Sequence, residues 1–600
     1  MASASVSRPR PHGAVRQPNR RLGPVIAFAL VAFVVGAILG AGHSSRSDSL
    51  ALGFVKAFAH GDYASMYADI DPGAQRTISV DQFADDYRTA LRTATATGVR
   101  ISGHAHESHD RVVVAVAINT YLFGTLHENF ALRVLGSGSE ARIDWNPSLE
   151  FPGLRAGETL TRNTTMPPRA SILGRDGSVL ASGQAPEGST STTERASPLG
   201  AAASAVVGAI GPIPSAERQA LSAQGIPGGA IVGTSGLELA LDASLRGRAG
   251  GQLLAGSRVI ASVAPHAAQP VRTTIDPDLQ RAAVDALGGQ YGGIVALKPA
   301  SGQILAVAGI GLDGLQPPGS TFKMITVSGV LSAGIAHSTS TFPYATSATL
   351  DGVKLENANG ESCGGSLALA FAVSCNSVFA PLGVKLGASR LVAMAEKYGF
   401  NHPPGIPGAV ESTLPQPSEI QGELDVGSTA IGQGEVQAST LQMAVVAATI
   451  ANGGRRPKPT FLATPPQPRL TTVTTPTVAH AVRRMMIGVV REGTGTSAAI
   501  PGVTVAGKTG TAELGTPSSC KTGSESGSSE EEAESESESG KDCAGSSSDP
   551  QNTDAWFASF APALDPHIVV GVMLVKDGAG GDTAAPVAKE VLESALRSHL

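Results

Sequence analysis

The 600-residue chain has only four cysteines, and none forms a C-x-x-C pair, which argues against a zinc ribbon or a thioredoxin-type redox motif. So few cysteines suit paired disulfides outside the cell. Charge is also sparse: 16% of residues are charged, the net charge is −6, and no basic stripe points to nucleic acid. The apolar share, 42%, is still ample for packed cores, so global disorder is excluded. Length suggests about four domains. One long apolar run is present: Leu22 to Gly42 gives 21 uncharged, mostly apolar residues. As a helix it would be about 30 Å long, enough to cross a bilayer. It follows a tail, 1–21, with Arg8, Arg10, Arg16, Arg20 and Arg21 and no acid. The arginine side stays cytoplasmic, which places everything after His43 outside. A cleaved signal peptide is the alternative, since Gly40-Ala41-Gly42 offers small residues to a peptidase. No cysteine follows the run, which argues against a lipoprotein.

The chemistry concentrates in Pro317-Pro318-Gly319-Ser320-Thr321-Phe322-Lys323. The Pro-Pro-Gly triplet ends what precedes, and Thr321 to Ala333 reads as an apolar helix that Gly334 stops. Ser320 and Lys323, three residues apart, share one face. A serine hydroxyl is a weak nucleophile until a base takes its proton, and an amine within reach can do so. The helix start adds free N–H groups and a positive dipole end, which favour an anion. Ser-x-x-Lys alone is a weak signal, because Ser518-Ser519-Cys520-Lys521 matches it within a low-complexity stretch. Two further motifs strengthen Ser320. Ser374-Cys375-Asn376 is the one Ser-x-Asn in the chain, and Lys508-Thr509-Gly510 follows the β-branched run Val503–Val505.

This ordered set resembles that of penicillin-binding proteins and serine β-lactamases. Other stretches support the first of these. Ser49 to Tyr87 reads as helices and Val99 to Ser137 alternates like strands, so 47–150 is expected to be a small α+β domain. It resembles the nuclear-transport-factor-like spacer of some penicillin-binding proteins. His104, His106 and His109 with Glu107 and Asp110 look like a metal cluster but read better as a solvated loop between strands, so no metal site is expected. Within 156–270, Arg169 to Ala181, Gly233 to Glu238 and Leu245-Arg246-Gly247 resemble the pedestal, or dimerisation, domain of the monofunctional, class B type. Ala170 and Leu173-Gly174 depart from that family's usual Gly and Asp. Thr273 to Gln280 resembles the opening of a transpeptidase domain, expected over 271–600. Ile294–Leu297 and Ile304–Val307 flank a hairpin turn; Asp554–Ala561 and Ile568–Lys576 read as strands; Ala588–Leu600 reads as a closing helix. The expected fold class is therefore multidomain α+β: membrane-anchored, with a C-terminal antiparallel sheet flanked by helices. No stretch resembles a glycosyltransferase domain.

The resemblance implies a peptidoglycan D,D-transpeptidase at the cell membrane, single-pass, with its catalytic domain extracytoplasmic and a role in cell shape. Ser320 would attack the penultimate D-Ala of a stem peptide and form an acyl-enzyme, and β-lactam antibiotics would take the same place. Lys323 would accept the proton as a neutral amine, Ser374 would relay it to the leaving amine, and Asn376 would hold the substrate amide and Lys323. Lys508 and Thr509 would bind the substrate carboxylate. The backbone N–H groups of Ser320 and of Thr511, which follows Gly510, would form the oxyanion hole. No cofactor is implied. A glycan polymerase of the division or elongation machinery is the expected protein partner.

Gly502 to Thr509 also fits Walker A spacing, but the Val503-Thr504-Val505 run favours a strand where a P-loop needs a flexible turn before a helix. Lys521-Thr522-Gly523 repeats the third motif without a strand around it. A D,D-carboxypeptidase or β-lactamase-type hydrolase is the rival. A class A β-lactamase would need a Glu with Asn four residues on, and Glu411 to Pro415 lacks that Asn. A non-catalytic penicillin-binding scaffold or wall sensor is the third reading, though the cytoplasmic end is too short for a signalling domain. Finally, 514–552 has seven Glu and two Asp against Lys521 and Lys541 with almost nothing apolar, and is expected to be a disordered acidic insert. A Cys520–Cys543 disulfide would close it, leaving Cys363 and Cys375 to pair with each other.

Overall fold

The computed structural model describes residues 46–183, 195–463, 470–513 and 552–598. The apolar run 22–42, the acidic residues 514–551 and the Cys520–Cys543 pair lie outside them. Among the described residues no single helix is long and apolar enough to cross a membrane. The chain divides into two compact units, one of 1–164 with 220–225 and 251–263, the other of 165–219, 226–250 and 264–600. This division cuts across the 156–270 segment that the sequence reading treats as one domain.

In the first unit four helices, α1 (Arg46–His60), α2 (Tyr63–Asp69), α3 (Pro72–Thr77) and α4 (Val80–Thr93), precede an antiparallel sheet. Its strands are β1 (Ala96–Ile101), β2 (His106–Ser108), β3 (Arg111–Thr120) and β4 (Thr125–Leu132), with β3 at the centre. Side-chain oxygens of Asp62, Asp71 and Ser79 cap α2, α3 and α4, which explains the close spacing of the helix starts. Phe54, Phe58, Phe83, Tyr87 and Phe130 form the core. There the Trp145 indole donates to the Tyr87 hydroxyl at 3.2 Å, and burial pushes the Tyr87 hydroxyl pKa well above its ordinary value. The histidine-rich segment is the β2–β3 hairpin, with His106 and Glu107 exposed on β2. Among the described residues no group of three or more His, Cys, Asp or Glu is placed to hold a metal ion. A second sheet, β5 (Leu160–Thr165), β6 (Gly250–Ala255) and β7 (Arg258–Val263), completes this unit.

In the second unit the segments beginning at Arg169 and Gly233 meet through charge. Arg169 pairs with Glu238 at 2.7 Å and with Asp242 at 2.8 Å, and Arg195 pairs with Glu238 at 2.6 Å. Glu238 is fully buried, and each arginine serves one of its carboxylate oxygens, so removing either would strip one oxygen of its partner in a dry setting.

The rest of this unit is built on five antiparallel strands. In chain order they are β8 (Gly292–Leu297), β9 (Ile304–Gly309), β10 (Ala506–Glu513), β11 (Thr553–Ala561) and β12 (Ile568–Leu574). Their order across the sheet is β9-β8-β12-β11-β10, leaving β10 at the edge. Every residue of β8, β11 and β12 is buried, which explains why β8 and β12 read as unbroken apolar runs, while β11 carries Thr553, Asp554 and Ser559 among its apolar residues. One face is covered by α5 (Pro277–Leu287), capped by the Asp276 carboxylate, and by a C-terminal helix, Ala584–Arg597. The other face meets the helical lobe, centred on the wholly buried Thr440–Ala451. Two boundaries differ from expectation. The C-terminal helix begins at Ala584, not Ala588. The third-motif strand begins at Ala506, because Ile500 and Val503 pair with each other in a local bridge and β10 pairs with β11 only from Ala506↔Phe560.

Candidate active site

Ser320 lies in a 3-10 turn, Gly319–Phe322, that leads into α6 (Lys323–Ser332), and not on the first turn of an α-helix starting at Thr321. The turn abuts β10. Gly319 has φ +51°, and a Cβ there would lie 2.6 Å from the Thr511 carbonyl oxygen, so only glycine lets the nucleophile's turn meet the strand edge. The second motif joins two short helices, α7 (Leu367–Ala372), capped by the Ser366 hydroxyl, and α8 (Asn376–Leu386). Ser374 sits between them with φ +61°, a left-handed backbone costing on the order of 1 kcal/mol for a residue with a Cβ. A Cys363–Cys375 disulfide ties the motif to the preceding strand, Cys363–Ser366, as the elimination of the other pair implied.

The three motifs converge on one hydrogen-bonded chain. Lys323 Nζ lies 2.9 Å from Ser320 Oγ, 2.7 Å from the Ser374 carbonyl oxygen, 2.6 Å from Asn376 Oδ1 and 3.4 Å from Ser374 Oγ. Lys508 Nζ donates to Ser374 Oγ at 2.8 Å and to the Thr509 carbonyl at 2.9 Å. Asn376 is oriented from behind, its Nδ2 donating to the Glu356 carbonyl at 2.8 Å, which turns Oδ1 toward Lys323. One Nδ2 proton remains for a substrate carbonyl.

Both lysines are 0% exposed, and neither has a carboxylate partner among the described residues. Burial, with the Lys508 ammonium nearby, holds the Lys323 amine well below the usual lysine range; burial alone brings Lys508 down to about 7. Through Ser374 Oγ the two nitrogens lie within about 6 Å, where two cations repel by roughly 3 kcal/mol at an effective dielectric of 20. The rings of Phe379 and Phe371, 5.7 and 5.5 Å from the respective nitrogens, favour the cations by about 0.5–2 kcal/mol, less than the several kcal/mol that burying a charge costs. Lys323 is therefore the neutral member of the pair. A neutral amine has two N–H groups and one lone pair. The Ser374 carbonyl and Asn376 Oδ1 can only accept, so they take the two N–H groups and leave the lone pair to the Ser320 hydroxyl.

The acylation rate is then expected to be bell-shaped in pH. Its acid limb marks protonation of Lys323, and its alkaline limb, setting in near pH 7, marks loss of the Lys508 charge. A pH profile of penicillin acylation checks this: Lys508→Arg should remove the alkaline limb, and a rate that climbs steadily to pH 10 would contradict the assignment.

Two features escape motif reading. The Glu356 carbonyl acts through backbone, which no side-chain pattern reveals. Thr494 lies in Gly493-Thr494-Gly495 after the helix Pro476–Glu492, and its Oγ1 is 2.5 Å from Thr509 Oγ1. The glycines around it were the available signal: a Cβ on Gly493 would lie 2.2 Å from the Ala372 carbonyl oxygen.

Residues 292–593 match the family model of the penicillin binding protein transpeptidase domain, 189–259 that of the penicillin-binding protein dimerisation domain, and 47–158 that of an NTF2-like N-terminal transpeptidase domain. The peptidoglycan D,D-transpeptidase PbpA of Mycobacterium tuberculosis is 32% identical over 393 residues, 55% of this chain and 73% of that one. A penicillin G acyl-enzyme complex of penicillin-binding protein A from M. tuberculosis superposes with a TM-score of 0.54 at 26% identity, covering 72% of this chain and 99% of that one. The D,D-transpeptidase domain of a peptidoglycan glycosyltransferase from Eggerthella lenta gives 0.53 at 29% identity, covering 72% and 98%.

Proposed function

We propose that this chain, which belongs to the penicillin-binding protein transpeptidase family and is a serine-type peptidoglycan D,D-transpeptidase, is acylated at Ser320 by stem peptides and by β-lactams. The observation that supports this most directly is the four-way environment of Lys323 Nζ, which offers a lone pair to Ser320 Oγ.

The steps follow from that geometry. Lys323 takes the Ser320 proton as Oγ attacks the penultimate D-Ala carbonyl. The oxyanion is met by the backbone N–H groups of Ser320 and Thr511, each worth about 3–4 kcal/mol. Ser374, in contact with both lysines, relays that proton from Lys323 to the departing D-Ala amine, which leaves Lys323 neutral. Lys508 and Thr509 hold the terminal carboxylate, and Gly510 lets the strand edge approach: a Cβ there would lie 2.6 Å from the Pro318 carbonyl oxygen. An acceptor amine then attacks the acyl-enzyme, Lys323 drawing off its proton, and Ser320 is restored.

The same reading includes the anchor at 22–42, supported by its uncharged run and flanking arginines, with the catalytic domain outside the membrane. It also includes the spacer at 47–150, the pedestal at 156–270, the transpeptidase domain at 271–600 with an acidic insert at 514–552, and a glycan polymerase as partner. The test is to label the full chain with fluorescent penicillin, follow its release, and assay cross-linking of a synthetic stem peptide. Deacylation is expected to be slow, because among the described residues no carboxylate adjoins Lys323 or Lys508 to activate water. Free enzyme recovered within seconds would make it a hydrolase.

A further inference from the structure

The hydroxyl of Thr494, an exposed residue, stands directly against that of Thr509, a residue only 3% exposed. Thr494 belongs to neither motif two nor motif three but joins them. Its backbone N–H donates to the Ala372 carbonyl at 3.1 Å, at the end of the helix that leads into Ser374, while its side chain meets β10. Its Oγ1 is also 3.4 Å from the Ala372 oxygen, a long contact to a carbonyl that the N–H already serves.

A hydroxyl has one proton, so the Thr494–Thr509 contact has a direction. If Thr509 donates, it turns lone pairs outward and repels an anion. If Thr494 donates, the Thr509 proton is free to face one, and each hydrogen bond polarises the next. Because the Ala372 carbonyl keeps the N–H, the Thr494 hydroxyl can turn without leaving an acceptor bare. We propose that Thr494 is a positioning residue for the substrate carboxylate, donating to Thr509 so that Thr509 donates to the anion, and thereby setting the preference for carboxylate-bearing substrates. This rests on the reading that Thr509 binds that carboxylate.

The test compares acylation of the full chain by benzylpenicillin and by its methyl ester, whose carboxylate is masked. Thr494→Val, nearly isosteric at an exposed position, is expected to lower the second-order rate constant for benzylpenicillin about tenfold, the value of one hydrogen bond to a charged partner, and to leave the ester unchanged. Thr494→Ser should restore the wild-type ratio. Equal rates for benzylpenicillin in wild type and Thr494→Val, or an equal loss with both compounds, overturns the proposal. Thr509→Val separates the two levels. If it spoils benzylpenicillin selectively while Thr494→Val does not, only the positioning role falls. If it too has no selective effect, the carboxylate reading falls with it.

Discussion

Replacing Ser320 with alanine is expected to reduce covalent labelling by fluorescent penicillin to background, a loss on the order of 10⁶-fold in acylation rate, while the fold survives. The loss should be near complete because no other hydroxyl among the described residues stands 2.9 Å from a buried amine with a free lone pair. Ser374 is the nearest alternative, but its Oγ accepts from Lys508 and its backbone is held left-handed between two helices. The stability change should be about 1 kcal/mol, the value of the one hydrogen bond removed, and a thermal melt measures it. Ser518→Ala, in the decoy motif, should label like wild type. Undiminished labelling of Ser320→Ala with a normal melt would remove Ser320 from the mechanism.

The second large effect belongs to Lys323. Lys323→Met and Lys323→Arg are both expected to lower acylation by about 10²–10⁴-fold, the usual contribution of a positioned general base. The pair matters because the two replacements fail for different reasons. Methionine fills a site that is 0% exposed but has no lone pair of use to Ser320. Arginine supplies donors to Asn376 and the Ser374 carbonyl but brings a cation that cannot lose its proton. If Lys323 served only as a positive charge, arginine would retain most of the activity, and acylation within tenfold of wild type in Lys323→Arg would establish that. Stability separates them further: methionine deletes a buried amine at little net cost, whereas arginine forces a charge into a dry pocket already facing Lys508.

The candidate site was legible because its chemistry is written as side chains at short, fixed spacings. Ser320 and Lys323, or Ser374 and Asn376, are each brought together by a single turn, so local rules are enough. The sheet was legible for a similar reason, since strands buried on both faces leave unbroken apolar runs such as Ile568–Leu574. What failed was set by partners distant in sequence. Val503–Val505 has the composition of a strand, but strand pairing is decided by the register with Phe560, and the chain spends Ile500 and Val503 on a local bridge. Thr494 reaches Thr509 across a loop whose path depends on how the Pro476–Glu492 helix packs. The orientation of Asn376 hangs on the Glu356 carbonyl, and every residue has a carbonyl.

Because neither buried lysine has an acid beside it among the described residues, a carboxylate bound as proposed would be the first counter-charge that Lys508 meets. Burial brings Lys508 down to about 7, so an anion placed against it would favour the charged amine and draw a proton from solution. Recognition is then coupled to proton uptake: anionic ligands grip more tightly as the medium acidifies through neutrality and less tightly as it turns alkaline. On that basis the protein would act as a proton-linked anion receptor before any bond is made or broken, its first encounter with substrate responding to the acidity of its surroundings.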